Sequence, residues 1–449
     1  MKAATVLSSK ARAALAAGLK TSHAELARRY PGESPRLQPV HTVYGGAPVF
    51  ESDSARKLGA IALQSLEEYA PRAETLRRIL DLPRHLASSI DARVREKLRR
   101  EPVEDYRIDF EDGYGNRSDS EEDGHAASAA REVAAGMDAG TLPPSIGIRI
   151  KPLTEELTER ALRTLDIFLA RLLASTARLP DNFVVTLPKV TDAAQVATLA
   201  RAFRLVEKAH RMPEGALRLE IMVETPQSVI NDRGEAAIGS LVAAGAGRCV
   251  AAHFGTYDYT ASLNITAAHQ HMLHPACDFA RHVMQVALAG TGVWISDGAT
   301  NVLPIAPHRK FKRSMTRREL AENRSVVHGA WRLHYEDVRH SLANGYYQGW
   351  DLHPAQLPTR YAALYAFFLE GLEAASVRLR AFVAKAGQAT LVGAVFDDAA
   401  TGQGLLNYFL RAWGCGAITE REAVQKSGLT LEELRSRSFV KILRGRRGR

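Results

Sequence analysis

Cysteine is scarce in this chain: Cys249, Cys277 and Cys415 are the only three among 449 residues. Their wide spacing excludes a disulfide framework and a zinc-ligand pattern, so a reducing, cytoplasmic compartment is expected. No apolar run reaches the length of a membrane-spanning helix, so no membrane span is expected. There is no Gly-x-Ser-x-Gly elbow and no reactive cysteine context. Gly245-Ala-Gly247 precedes an apolar run instead of following one. It therefore reads as a helix C-cap and not as a dinucleotide loop.

Acidic residues are missing from both ends. Residues 1–24 carry Lys2, Lys10, Arg12 and Lys20 with no acid, and residues 435–449 carry six arginines and Lys441, again with none. These eleven charges exceed the formal net charge of +9, so the body of the chain stands at −2. A basic end can meet an anionic surface, but a frayed, solvated tail is the expected reading. The body does not read as a nucleic-acid binder. The Ala-rich start through Gln38 has the look of a transit peptide and also suits a helical extension, the reading adopted here.

What is present is 46% hydrophobic and 24% charged, the balance of an ordinary globular chain. Eight short apolar runs follow Gln38: Val40–Tyr44, Tyr106–Phe110, Ile146–Ile150, Phe183–Pro188, Leu217–Val223, Cys249–Phe254, Gly292–Ser296 and Trp350–His353. Amphipathic stretches separate most of them. Glu155–Ala177 puts Leu157, Ala161, Leu165, Phe168 and Leu172 on one face, and Ala193–His210 and Cys277–Ala289 repeat the 3.6-residue spacing. The alternation predicts an α/β fold, a (β/α)8 TIM barrel over 39–385, with a helical extension at 1–38 and a helical appendage at 386–449. Two helices are predicted around Glu67–Arg100, one between the fifth and sixth strands, and a closing helix at Gln356–Lys385. Thr430-Leu-Glu-Glu433 offers a capping box in the appendage.

Barrel active sites lie at the C-terminal ends of strands, and polar residues collect there. The second run ends in Asp109-Phe-Glu-Asp-Gly113, the third in Arg149-Ile-Lys151, the fourth in Pro188-Lys189 and the fifth in Glu224. The sixth ends in Asp258, the seventh in Asp297-Gly298 and the eighth in His353-Pro354. Glu224 and Asp258 fall at the same end of two neighbouring strands, where two hard carboxylates suit Mg²⁺. Each residue also has a plainer reading: Asp112 and Asp297 as turn aspartates before glycine, Lys189 as a solvated charge, Glu224 and Asp258 as helix N-terminal carboxylates. Gly45-Gly46 after the first run reads equally as an anion-binding pair of N–H groups and as a plain turn. His269, His271 and His274 are spaced by two and three, which suits no single helix face, so no second metal site is expected.

The ordered set Asp109-Phe-Glu-Asp, Arg149, Pro188-Lys189-Val, Val223-Glu-Thr-Pro, Phe254-Gly-Thr-Tyr-Asp, Asp297-Gly and Leu352-His-Pro-Ala-Gln356 resembles the HpcH/HpaI aldolase and citrate lyase beta-subunit superfamily. The resemblance covers about His41–Gln356. The two ends, the stretches Asn116–Gly124 and His269–His274, and Gly113, where the citrate lyase branch tends to have alanine, depart from it. It implies Mg²⁺ (or Mn²⁺) on Glu224 and Asp258, Arg149 facing an enolate oxygen, and Glu111 or Asp112 orienting Arg149 or metal waters. Gly45, Gly46 and Lys189 would contact substrate, a 2-oxo acid or CoA thioester. His41, Asp297 and His353 are the candidates for a general base. The expected function is thus a metal-dependent carbon–carbon lyase or aldolase, in a homo-oligomer. The alternatives are a malate-synthase-like Claisen condensation, phosphoenolpyruvate handling and a non-catalytic barrel.

Overall fold

The computed structural model describes residues 6–176, 178–309, 314–384 and 399–447, with the backbones of two short strands at 390–392 and 395–397. Each predicted apolar run contributes one strand: β1 (His41–Gly46), β2 (Asp105–Asp109), β3 (Ser145–Arg149), β4 (Phe183–Leu187), β5 (Leu219–Val223), β6 (Cys249–Phe254), β7 (Trp294–Ser296) and β8 (Gly349–Asp351). They form one sheet in the order β7-β6-β5-β4-β3-β2-β1-β8. Every pairing is parallel. The ends of the sheet meet through a parallel bridge between Ala299 and Trp350. The Asp297 N–H donates to the Gln348 carbonyl at 2.9 Å, and the Trp350 N–H to the Gly298 carbonyl at 3.1 Å.

Parallel strands covered on both faces need apolar side chains toward the helices. Ile146, Ile148, Val185, Leu187, Ile221 and Val223 supply them and are fully buried. The alternate positions carry Arg107, Thr186 and Glu220, which bond to one another across β2, β4 and β5 inside the bore. The helix Thr158–Thr176 buries Ala161, Leu165, Phe168 and Leu172, the face its spacing predicts. Each buried Leu or Phe there contributes roughly 1.5–3 kcal/mol relative to exposure.

Several boundaries differ from the sequence reading. The first connection holds three helices, Ser54–Tyr69, Ala73–Leu80 and Arg84–Arg100, because Pro71 and Pro83 interrupt what looked like two. The segment between β5 and β6 holds two short helices, Pro226–Val229 and Ile238–Ala244, instead of one. The closing helix is Leu357–Ala384. Ala177, Lys385 and the expected domain boundary at 385/386 lie outside the described residues.

The basic end is not a frayed tail. Phe439–Arg447 is a helix whose i,i+3 pair Phe439 and Ile442 is buried, with Phe439 stacked on Phe382 at 5.1 Å. Arg446 pairs with Glu433 at 2.6 Å, and the Thr430–Glu433 capping box forms. The start forms two helices, Ser9–Gly18 and Lys20–Arg29, neither of which buries a residue.

Candidate active site

Lys189 is the hub of the polar mouth. It follows β4 with φ +50°, a left-handed conformation unusual for a residue with a side chain. Its backbone N–H donates to Glu224 Oε1 at 2.7 Å. Its ammonium donates to Glu111 Oε1 at 2.5 Å and to both Asp112 oxygens at 3.2 Å, and lies 3.6 Å from Asp258 Oδ2. Burial alone would lower its pKa; the hydrogen bond to Glu111 and the surrounding carboxylates raise it instead.

Arg149, at the end of β3, is sealed to 1% exposure. Asp109 holds its Nε at 2.7 Å and its Nη2 at 2.6 Å in a bidentate pair. The remaining nitrogen, Nη1, points to the mouth, 3.0 Å from Glu111 Oε2 and 3.5 Å from Asp112 Oδ2. The guanidinium lies over the rings of Tyr44 and Trp350, 4.8 and 5.5 Å from their centroids. Sequence reasoning gave Asp109 no role, although its position two residues after Arg107 on β2 marks it as bore-facing. Gly113 explains itself here. A Cβ on it would come within 2.6 Å of Asp109 Oδ2, the oxygen that accepts the Gly113 N–H at 2.7 Å.

Glu224 is buried, and its pKa is raised to about 8, first by burial and then by the neighbouring charge of Asp258. Gly255 leaves room for it: a Cβ there would stand 2.3 Å from Glu224 Oε2. Among the described residues Asp109, Glu111, Asp112, Glu224 and Asp258 face Arg149 and Lys189, an excess of negative charge at one strand mouth. Among the described residues no three His, Cys, Asp or Glu side chains form a metal-holding set. A divalent cation here would take hard oxygens from Glu224 and Asp258 and fill its other positions from water or substrate, the donor set that suits Mg²⁺. The residues fit the ion.

Other expected site residues lie elsewhere. His41 sits at the opposite end of the barrel, with Nδ1 2.8 Å from Asp351 Oδ2 and Nε2 accepting the Glu104 N–H at 3.1 Å. Both nitrogens are occupied, so it is no base for this mouth. Asp297 turns toward the outer helices. Arg281 Nη1 reaches its two oxygens at 3.0 and 3.2 Å, and the Ser341 hydroxyl donates to it at 2.6 Å. His353 accepts the Ala355 N–H on Nδ1 at 3.1 Å and caps the turn Pro354–Gln356. Burial lowers its pKa, so the neutral ring keeps its proton on Nε2 and has no lone pair to spare. Gly45 and Gly46 are not a turn after β1 but its last two residues, opposite Ile108 and Asp109. A Cβ on Gly45 would strike the Tyr106 hydroxyl, and one on Gly46 the Gly113 carbonyl at 2.5 Å. Close packing accounts for the pair. His274 caps the helix Pro275–Leu288 through Nδ1.

Over residues 19–442 the sequence matches the family described as "Domain of unknown function (DUF6986)". The chain belongs to that family. No curated protein matches it. In structure this DUF6986 chain is similar to a citrate lyase from Burkholderia xenovorans LB400, at 17% identity and TM-score 0.57, over 88% of this chain and 98% of that one. Protein CitE from Mycobacterium tuberculosis, in complex with magnesium, acetoacetate and coenzyme A, aligns at 15% identity and TM-score 0.46, over 88% and 100% of the two chains. A Haloferax volcanii malate synthase aligns at 16% and 0.45, over 91% and 98%. At 17% identity the likeness to the citrate lyase shows a (β/α)8 barrel fold for this chain and nothing finer. Among the described residues no helix is long and apolar enough to cross a membrane.

Proposed function

We propose that this DUF6986 chain is a divalent-cation-dependent carbon–carbon lyase that cleaves a 2-oxo acid or acyl-CoA substrate through an enolate. The observation that carries the reading is the divided fork of Arg149, held by Asp109 on one side and meeting the carboxylates of the mouth on the other. Asp109 fixes two of its nitrogens, while Nη1 faces the mouth beside Glu111. A permanent charge held in place by a buried carboxylate is suited to stabilise an oxygen that becomes negative as a bond breaks. Glu224 and Asp258 would hold Mg²⁺ or Mn²⁺, which would supply Lewis-acid polarisation of a carbonyl oxygen.

The Lys189 ammonium orients Glu111 and Asp112 and presents a second positive charge to a substrate carboxylate. With His41, Asp297 and His353 engaged elsewhere, Glu111 is the group that accepts the proton released when the bond breaks. Burial raises its pKa, whereas Asp112 is held below its usual value by its bond to Glu111 and by Arg149 and Lys189. The higher affinity makes Glu111 the better acceptor. The likeness to the Burkholderia citrate lyase supports the reaction class but not a substrate.

A screen tests this. Purified protein with Mg²⁺ is offered 4-hydroxy-2-oxo acids and hydroxyacyl-CoA thioesters, and release of a 2-oxo acid or acyl-CoA is followed. Turnover that stops on chelation is expected. Condensation of acetyl-CoA with a 2-oxo acid and no cleavage of either substrate class would replace this reading with the Claisen one.

A further inference from the structure

A second pocket opens at the far end of the barrel, away from Glu224 and Asp258. It has about 60 Å³ of water-accessible space, is open on one side, and lies between the segment before β1, the starts of β7 and β8, and the helices Leu357–Ala384 and Ala399–Gly414. That room takes an anionic head group, and a larger body would lie along the open side.

Three guanidiniums converge on it, from Arg36, Arg411 and Arg437. Arg411 is committed: it pairs with Glu33 at 3.0 Å, donates to Gln38 Oε1 at 2.6 Å, and lies 4.7 Å over Tyr347. Arg36 and Arg437 are not. Among the described residues neither has a carboxylate at ion-pair distance. Arg36 lies 4.5 Å over Trp294, with its Nη1 buried and without a hydrogen-bond partner. Arg437 stands at φ +52°, left-handed backbone for a non-glycine residue, and among the described residues its side chain donates to the Ser34 carbonyl, at 3.1 Å. Burial and Arg218 depress the Arg36 pKa, and burial and Arg411 depress that of Arg437. Gathering like charges in a half-buried cavity opposes folding unless an anion joins them. The lining also includes the apolar side chains of Leu364, Phe368 and Leu410.

We propose that this pocket binds a small organic phosphate, with the phosphate on Arg36 and Arg437 and the apolar body along Leu364, Phe368 and Leu410. Guanidinium forks match phosphate oxygens in geometry as well as charge. A ligand here touches the N-terminal segment, the barrel and the C-terminal helices at once, so its binding stabilises their association. The inference does not rest on the proposed lyase chemistry, whose residues stand at the other end of the strands.

The test is calorimetric titration of the full chain with pyrophosphate, as the anionic head alone, and with ADP, as head plus body, together with thermal melts. Both probes are expected to bind, ADP more tightly, and ADP to raise the melting temperature. Arg36→Gln and Arg437→Gln should each weaken both probes by about tenfold or more, the size of one charge-assisted hydrogen bond. Removing an uncompensated charge should leave the unliganded melt of Arg36→Gln unchanged or higher. Glu224→Gln should bind the probes as the wild type does. Failure of both probes to bind would overturn the proposal. So would wild-type affinity in both arginine variants, or a lowered unliganded melt of Arg36→Gln with affinity intact, which would make Arg36 a structural clamp.

Discussion

Arg107 on β2 and Arg149 on β3 share one bore, and both are nearly sealed, at 2% and 1% exposure. They differ in what is left of the guanidinium. Arg107 gives its Nε to Thr186 at 3.0 Å and to Glu220 Oε1 at 3.1 Å, its Nη2 to Glu220 Oε2 at 3.1 Å, and its Nη1 to Asp105. Arg149 gives Nε and Nη2 to Asp109 and its Nη1 to the mouth, 3.0 Å from Glu111 Oε2 and 3.5 Å from Asp112, whose side chain is 56% exposed. Burial and ion pairing therefore do not separate a structural arginine from a reactive one. The difference lies in the partners of the third nitrogen, because only a nitrogen paired at the mouth can turn to charge that develops during a reaction.

The largest expected effect lies beyond both arginines. Glu224→Gln or Asp258→Asn should lower kcat by about 10³-fold or more, since the charge stabilisation lost is worth several kcal/mol. Mn²⁺ affinity should fall with it while the fold persists. Turnover and metal affinity at wild-type levels would remove the cation from this mouth.

Next comes the sealed arginine. Arg107→Met strands Asp105 and Glu220, and should cost roughly 3–5 kcal/mol of stability in a denaturant titration. kcat per folded molecule should survive. A kcat loss at unchanged stability would erase the distinction between the two residues.

Arg149→Lys reverses the pattern. Lysine keeps the charge and loses the fork. kcat should fall by about 10²-fold, as when one oxyanion donor is removed, with a smaller change in melting temperature and metal affinity. A lowered melt with kcat intact would move Arg149 into the structural class.

The smallest effect is on pH dependence. Between the ordinary glutamate value of 4.5 and about 8, folded metal-free protein keeps a proton on Glu224 that the unfolded chain has lost. The native state binds more protons in that window, so stability should fall as pH rises through it. Thermal melts in a chelator from pH 5 to 8.5 should show the decline, and Glu224→Gln should flatten it. An equal decline in the variant would assign it to another group.

The eight strands were legible because each is a short apolar run closed by a polar or turn residue, and the parallel pairing of β5 with β6 follows from that alternation. Arg149, Lys189, Glu111, Asp112, Glu224 and Asp258 were legible as strand-end residues, and the fold gathers them. What was not legible depends on direction. Asp297 and His353 also end strands, yet one side chain turns to Arg281 and the other bends back to cap its own turn. His41 lies at the start of its strand, not the end, which residue type alone conceals. Gly45-Gly46 has the composition of a turn, but the space it frees is filled by Tyr106 and Gly113. The buried face of the C-terminal helix was masked by its charge, since its apolar residues Phe439, Val440, Ile442 and Leu443 sit in a basic run.

The most direct measurement needs no knowledge of the natural substrate. Exchange of methyl protons for solvent deuterium, in pyruvate and in acetyl-CoA, reports enolate formation by proton magnetic resonance. The expected result is exchange into one of the two that requires Mg²⁺ or Mn²⁺ and is lost in Glu224→Gln and Arg149→Lys but retained in folded Arg107→Met. No exchange above the buffer blank in either compound, or exchange that survives Arg149→Lys undiminished, would contradict it.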